Sequence, residues 1–438
     1  MIVKKIPYPF VVVLLFLFTV AVGLVRNRTA VLWPVLHNED GRDLFAYYLN
    51  NPDVSGVFRF YAGYVSLGPN LIGYLATRLP APLAPYFMVA VSLFLQSTAF
   101  SLFSLRRFRF LIESDHLRLL FCLFIVLVPM GNYALSTAVM WSGWNFLLIL
   151  FLLVLVPPPD KSSALYVMQL VFSCLAICSH PYSLLIVPIC VVNLLRWPLT
   201  SARCYHFSLL ICTGIYAVMG LHQGEYPSDV SLAVLPVALK LFMQRVIFGA
   251  FAGDVLRATW FAQGFALRIY WFAVISSALL TALVLFSRKR FSHRDWVNIL
   301  ILCYVIFSTV LVSVVGRAMV SNYEYYTRLW EQRYFYISQL LWFLLLSFVG
   351  NRLLVKFSWP CFLKFGVPVI FGIYLLWLNT IDHQLFNTST QSGRQVADFL
   401  SQVYVCQRGE QRQDVLLLDR GIWSIEIKNC FVDSLPNR

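Results

Sequence analysis

Residues His37 to Tyr64 read HNEDGRDLFAYYLNNPDVSGVFRFYAGY, with Glu39, Asp40, Asp43 and Asp53 among the chain's 20 acidic residues. The stretch directly follows an apolar run from Tyr8 to Val25, long enough for a helix to cross a bilayer. Carboxylates this dense beside such a run mark a loop at the membrane surface and not a second span. Asp40-Gly41-Arg42-Asp43 reads as a helix start with Asp40 as N-cap. Leu44, Phe45, Tyr48 and Leu49 then share one face, and Asn50-Asn51-Pro52 ends the element. The expected product is a short amphipathic helix on the membrane surface, its carboxylates at the wet end.

The rest of the chain fits a holder for that loop. Of 438 residues, 59% are hydrophobic and 12% charged, and the mean hydropathy is +0.72, which is the composition of a polytopic membrane protein and not of a soluble domain. The net charge of +14 does not point to nucleic acid, because Lys and Arg sit in short clusters between apolar runs, as cytoplasmic loops do. Eight of the ten cysteines lie in or beside apolar runs, and no Cys-x-x-Cys or Cys/His metal spacing occurs.

Lys4 and Lys5 before the first run put the N-terminus inside and the acidic stretch outside, so the first external loop covers 33–82. Within it, the moderately apolar 62–80, with Gly63, Gly68, Pro69, Gly73 and Arg78, suits a second surface or re-entrant helix. Further spans are expected at Leu83–Leu105, Leu117–Tyr133, Met140–Val156, Ala164–Ser179, Tyr182–Leu195, Phe207–Leu221, Phe265–Phe286, Trp296–Val315, Tyr334–Val349 and Cys361–Asn379. With the first run these make about eleven, an odd number that carries the C-terminus outside. Arg106, Arg107 and Arg109, and then Arg288-Lys289-Arg290, mark inner loops; 222–264 reads as an external excursion with amphipathic helices, and 316–333 as an external loop. The domains expected are therefore a transmembrane unit, 1–380, and a small mixed outer tail, 381–438. Cys406 and Cys430 in that tail are the disulfide candidate.

Two groups of residues carry chemistry. Glu39 or Asp40 can take a proton from a hydroxyl if a dehydrated wall raises its pKa; the plainer reading makes Asp40 a helix cap and Glu39 a solvated charge. Lys240, Arg245, Arg317, Arg328 and Arg333 fall on the outer side against the positive-inside rule, which calls for an anionic partner such as a lipid-linked phosphate. Lipid headgroups, Glu324 and Glu331 are the plainer partners, and Arg317 with Arg333 is the preferred phosphate pair. In Ser179-His180-Pro181-Tyr182-Ser183 a proline-led helix start offers N–H groups to an anion, with His180 beside it; a tight interhelical turn is the simpler reading. Trp141 and Trp144 read as interface-belt aromatics. Asn27-Arg28-Thr29 and Asn387-Thr388-Ser389 match the N-glycosylation pattern.

Glu39-Asp40-Gly41 after the first span, Tyr61-Ala62-Gly63-Tyr64 with Pro69, the Pro181-Tyr182-Ser183 helix start and Arg333-Tyr334-Phe335-Tyr336 entering a late span together resemble bacterial integral-membrane glycosyltransferases of the GT-C superfamily. The resemblance covers about residues 1–380 in span order. It implies an all-α, GT-C-like membrane fold in a bacterial inner membrane, with the C-terminus periplasmic. It also implies inverting transfer from an undecaprenyl-phosphate sugar to a periplasmic or lipid-linked glycan such as O-antigen. Asp40 or Glu39 would be the general base. Arg317, Arg333, Tyr334, Arg328, Arg245, Lys240, His180 and Tyr182 would meet donor and phosphate, and Asp43, Tyr61 and Tyr64 would shape the acceptor loop. A flippase and a donor synthase are the implied partners. Some members need a divalent metal, but no further acidic cluster completes a site here, so none is expected. Members often carry Arg after the loop proline, where this chain has Asn70. The alternatives are an O-antigen polymerase or ligase, and a non-enzymatic flippase.

Overall fold

The structure is a computed structural model that describes residues 8–32, 34, 36, 39–61, 63–80, 83–128, 134–198, 200–221, 231–317, 319–327, 332–356, 370–378, 380, 415–417 and 424–426. Among these the chain is helical apart from loops and two small antiparallel hairpins, Phe60–Tyr61 with Tyr64–Val65 and Val415–Leu417 with Ser424–Glu426. Six described helices are long and apolar enough to cross a membrane: Tyr8–Arg26, Ala84–Leu102, Thr200–Met219, Val234–Ala262, Ala266–Phe286 and His293–Gly316. Ala164–Ile177 and Pro181–Arg196 form one further path, bent by 117° at their junction. This is an all-helical, multi-pass membrane protein, the architecture that satisfies backbone polar groups inside each segment.

Three segments depart from the sequence reading. Ala164–Ser179 and Tyr182–Leu195, expected as two spans, are the two arms of the bent pair, because neither is long enough alone. Met140–Val156 becomes a three-residue turn, Met140–Ser142, and a helix, Gly143–Val154, of only 12 residues. At 1.5 Å per residue it spans about 18 Å, too little for a bilayer. Every one of its residues is buried, and it packs against Ala84–Leu102 and Ala164–Ile177 as a central strut shielded from lipid. The third departure is 222–264, read as a surface excursion. Val234–Ala262 is instead a run of 29 residues with the hydropathy of a span. Its buried charged residues Arg245, Asp254 and Arg257 do not draw it into water because both arginines pair with Asp254 and donate their other bonds to protein oxygens.

The first loop also sits differently. Asp40–Phe45 is a π-helical turn that runs into Ala46–Asn50, and Leu44, Phe45 and Tyr48 on its apolar face are 0%, 1% and 1% exposed. The face predicted to rest on the bilayer is therefore sunk into the protein core. Helix Leu67–Ala76 crosses it at Gly73, where a Cβ would lie 2.8 Å from Leu44 Cβ, so only glycine permits the approach. Of the carboxylates at its start, Asp40 is sunk with it, at only 3% exposure, while Glu39 and Asp43 stay partly exposed.

Candidate functional site

Asp40 does not cap its own helix, where position Glu39 makes no side-chain cap bond. It reaches instead to the break before Gly143–Val154. Val139 N donates to Asp40 Oδ2 and Met140 N to Asp40 Oδ1, both at 2.8 Å, so one carboxylate satisfies two amides at the start of the central strut. Burial raises its pKa from 3.8 to about 7; the two amides pull it down and the charges of Glu39 and Asp43 push it further up.

Glu39 faces the other way. Trp141 Nε1 donates to Glu39 Oε2 at 2.7 Å, and Arg333 Nη1 lies 3.8 Å from the same oxygen. The Arg333 guanidinium also stacks 4.2 Å over the Trp141 ring and 5.0 Å from the Tyr334 ring, and the Arg317 guanidinium lies 5.2 Å from that same Tyr334 ring. Arg317 is exposed at the C-terminal end of His293–Gly316. The glutamate side chain is 25% and that of Arg333 18% exposed, so this corner opens to solvent where Asp40 does not.

Aromatic side chains wall the corner. His180 caps Pro181–Leu185, its Nδ1 accepting from Tyr182 N at 3.2 Å, and its ring packs 4.2 Å from Trp144 and 6.3 Å from Tyr64. That is the plain turn reading, with the ring added to the wall. Tyr182 OH donates to Ser313 Oγ at 2.8 Å, and Trp144 stands edge-on to Tyr182 and Tyr334. Gly63, at φ 83°, turns the small hairpin that sets Tyr61 and Tyr64 side by side. Burial raises both hydroxyls, that of Tyr64 to about 12 against the pull of Arg317. Asp43 is held by Arg42 through two bonds of 3.0 and 2.8 Å. Asn70, in the position where Arg was the resemblance's expectation, is fully buried and donates to Val57 O and Arg59 O; it ties helix Leu67–Ala76 to the turn that precedes the hairpin.

Glu39, Asp40, Arg317, Arg333, Tyr334, Tyr64, His180 and Tyr182 thus converge, and Tyr61 adjoins them. Two predicted phosphate residues do not join. Lys240 is exposed, 5.8 Å from the Tyr323 ring. Arg245 is fully buried and committed to Asp254 and Tyr326 O, which corrects its reading as an outer-loop cation. Arg328, Glu331, Cys406, Cys430 and Asn387 lie outside the described residues. The sequence reading gave Trp141 and Trp144 to an interface belt, whereas both are buried at this corner; their i, i+3 spacing at the head of an apolar run is the pattern that a belt also gives. The Val139 and Met140 amides left no signal, since any residue supplies an N–H.

Among the described residues no group of three or more His, Cys, Asp or Glu side chains is arranged to hold a metal ion. The arrangement offers a carboxylate at a solvent-open corner, two guanidiniums against one tyrosine ring, and a wall of aromatic side chains. No protein-family model matches the chain, and no curated protein matches it.

Proposed function

We propose that the protein is a GT-C-type membrane glycosyltransferase, moving a sugar from a polyprenyl phosphate to a hydroxyl of a lipid-linked or surface glycan with inversion at the anomeric carbon. The observation that carries the reading is the meeting of Glu39 with Trp141 Nε1 at 2.7 Å and Arg333 Nη1 at 3.8 Å. A proton acceptor and an anion-binding group then stand at one corner, as a displacement with a phosphate leaving group requires.

In this mechanism Glu39 takes the proton of the acceptor hydroxyl as that oxygen bonds to the anomeric carbon. The bond from that carbon to the phosphate oxygen breaks, and its electron pair leaves on the phosphate, where Arg317 and Arg333 meet the charge. Asp40, enclosed and bound to two amides, is a positioning residue that fixes Val139 and Met140 and so Trp141. The donor is an undecaprenyl-phosphate sugar, and the site faces the periplasm of a bacterial inner membrane, supplied by a donor synthase and a flippase.

The test is the structure of the surface polysaccharide, by NMR and mass spectrometry, from cells with the gene intact, deleted, or carrying Glu39→Gln. Removing a general base lowers transfer by roughly 10²- to 10⁴-fold, so one sugar branch disappears in the deletion and in the variant. Chains that keep every branch but change in length, or fail to reach the surface, overturn the reading in favour of a polymerase, ligase or flippase.

A further inference from the structure

The run Val234–Ala262 carries three fully enclosed charges, and ions are retained in such a position only where something specific holds them. Two features of the run present them. Phe242–Phe248 is π-helical around Arg245, and Gly253, at φ 73°, breaks the helix just before Asp254. Asp254 therefore opens the turn that bears Arg257 three residues on. Asp254 Oδ1 is the common acceptor: Arg245 Nη1 donates to it at 2.7 Å, and Arg257 Nε and Nη2 donate at 2.9 and 2.6 Å.

The remaining edges of both guanidiniums point at the segment between His293–Gly316 and the following helix, Tyr336–Lys356, and they meet it at backbone carbonyls. Arg245 Nε and Nη2 donate to Tyr326 O at 2.8 and 2.6 Å, and Arg257 Nη1 donates to Thr327 O at 2.6 Å. These carbonyls end the short helix Tyr323–Thr327, where a cation also suits the helix dipole. Arg245 Nη1 reaches further, to Gln332 Oε1 at 3.2 Å, and Gln332 Nε2 donates to Gln339 Oε1 at 2.6 Å. The two arginines thus grip the chain at Tyr326 and Thr327 and again at Gln332, the residue before Arg333. Tyr326 carries the grip to the other cation, its hydroxyl donating to Arg317 O at 3.4 Å and its ring lying 6.1 Å from Tyr334.

We propose that Arg245 and Arg257 are positioning residues that set the Arg317–Arg333 pair by clamping the loop at Tyr326, Thr327 and Gln332. The proposal deepens the phosphate-binding role given to that pair above and rests on it. A planar fork is needed for the task. Arg245 serves a carbonyl, a carboxylate and an amide oxygen at fixed angles, and a lysine keeps the charge but not the fork.

The experiment uses the full chain in nanodiscs and undecaprenyl phosphate as the probe, at a temperature below each variant's unfolding. Arg245→Lys and Arg333→Ala are each expected to weaken binding by about 10-fold, and the double variant no more than either, because one acts through the other. Effects that multiply in the double variant overturn the proposal, since a residue that merely supports the fold acts independently of Arg333. Gln332→Leu, which cuts the same tie without stranding a charge, serves if Arg245→Lys does not fold. If Arg333→Ala binds like the wild type, the phosphate reading fails by itself. Hydrogen exchange at amides 319–327 then decides the clamp: faster exchange in Arg245→Lys sustains it, and unchanged exchange overturns it.

Discussion

Asp40 and Asp254 are both almost wholly enclosed, at 3% and 2% exposure, yet their charges are met by different chemistry. Asp254 sits between two guanidiniums that share its Oδ1. Asp40 is met by two backbone N–H groups, one on each oxygen, which stabilise its anion less than burial opposes it. The first arrangement fixes a charge as a structural joint. The second leaves a carboxyl whose proton is exchanged near neutrality, next to the corner where we place the chemistry.

The largest test of that contrast is Asp254→Asn. It strands two buried arginines, and breaking a buried pair from one side costs roughly 3–5 kcal/mol, to be read as a lower unfolding temperature in detergent. An equal loss on replacing Asp40 would erase the distinction.

Next comes pH. The folded pKa of Asp40 is about 7 and its ordinary value 3.8, so between them the folded chain holds a proton that the unfolded chain lacks. Stability from this group is full below about pH 4 and is lost as pH rises through about 7, by up to ~4 kcal/mol. Denaturant titrations at pH 5 and pH 8 should show the fall in the wild type, and Asp40→Asn should flatten it. At pH 5 that variant should itself be less stable by about 1–3 kcal/mol, because its amide offers one acceptor oxygen to two buried N–H groups. A wild-type curve without slope from pH 5 to 8 would sink the account of Asp40.

The smallest effect is expected of Trp141→Phe, which keeps the ring under Arg333 and removes the donor to Glu39. About 1 kcal/mol of stability should be lost, while sugar transfer falls more sharply because Glu39 is no longer aimed. Transfer that is unchanged would mean that Glu39 does not need the indole.

These differences explain what could be read in the sequence. The acidic stretch after the first apolar run, the Arg317 and Arg333 pair and the His180-Pro181 turn were legible because each breaks a compositional rule of membrane chains where it stands. Arg245 broke the same rule and misled, since positive-inside counting cannot tell an exposed cation from one neutralised by Asp254 nine residues on. Gly143–Val154 looked like a span because a core strut and a lipid-facing helix are equally apolar; only its 12 residues distinguish them. Trp141 was hidden by its chemical resemblance to a membrane-belt residue. The amides that hold Asp40 belong to no side chain at all.

The Asp40 bonds to Val139 and Met140 bridge 99 and 100 positions of chain. A ribosome adding about 5–20 residues per second therefore inserts the first loop several seconds before its latch exists. Arg333 emerges later still. Under the proposed chemistry, the nascent protein is mute while it is being threaded into the bilayer, and a chain stalled before its final helices occupies membrane without assembling the Glu39–Arg333 corner.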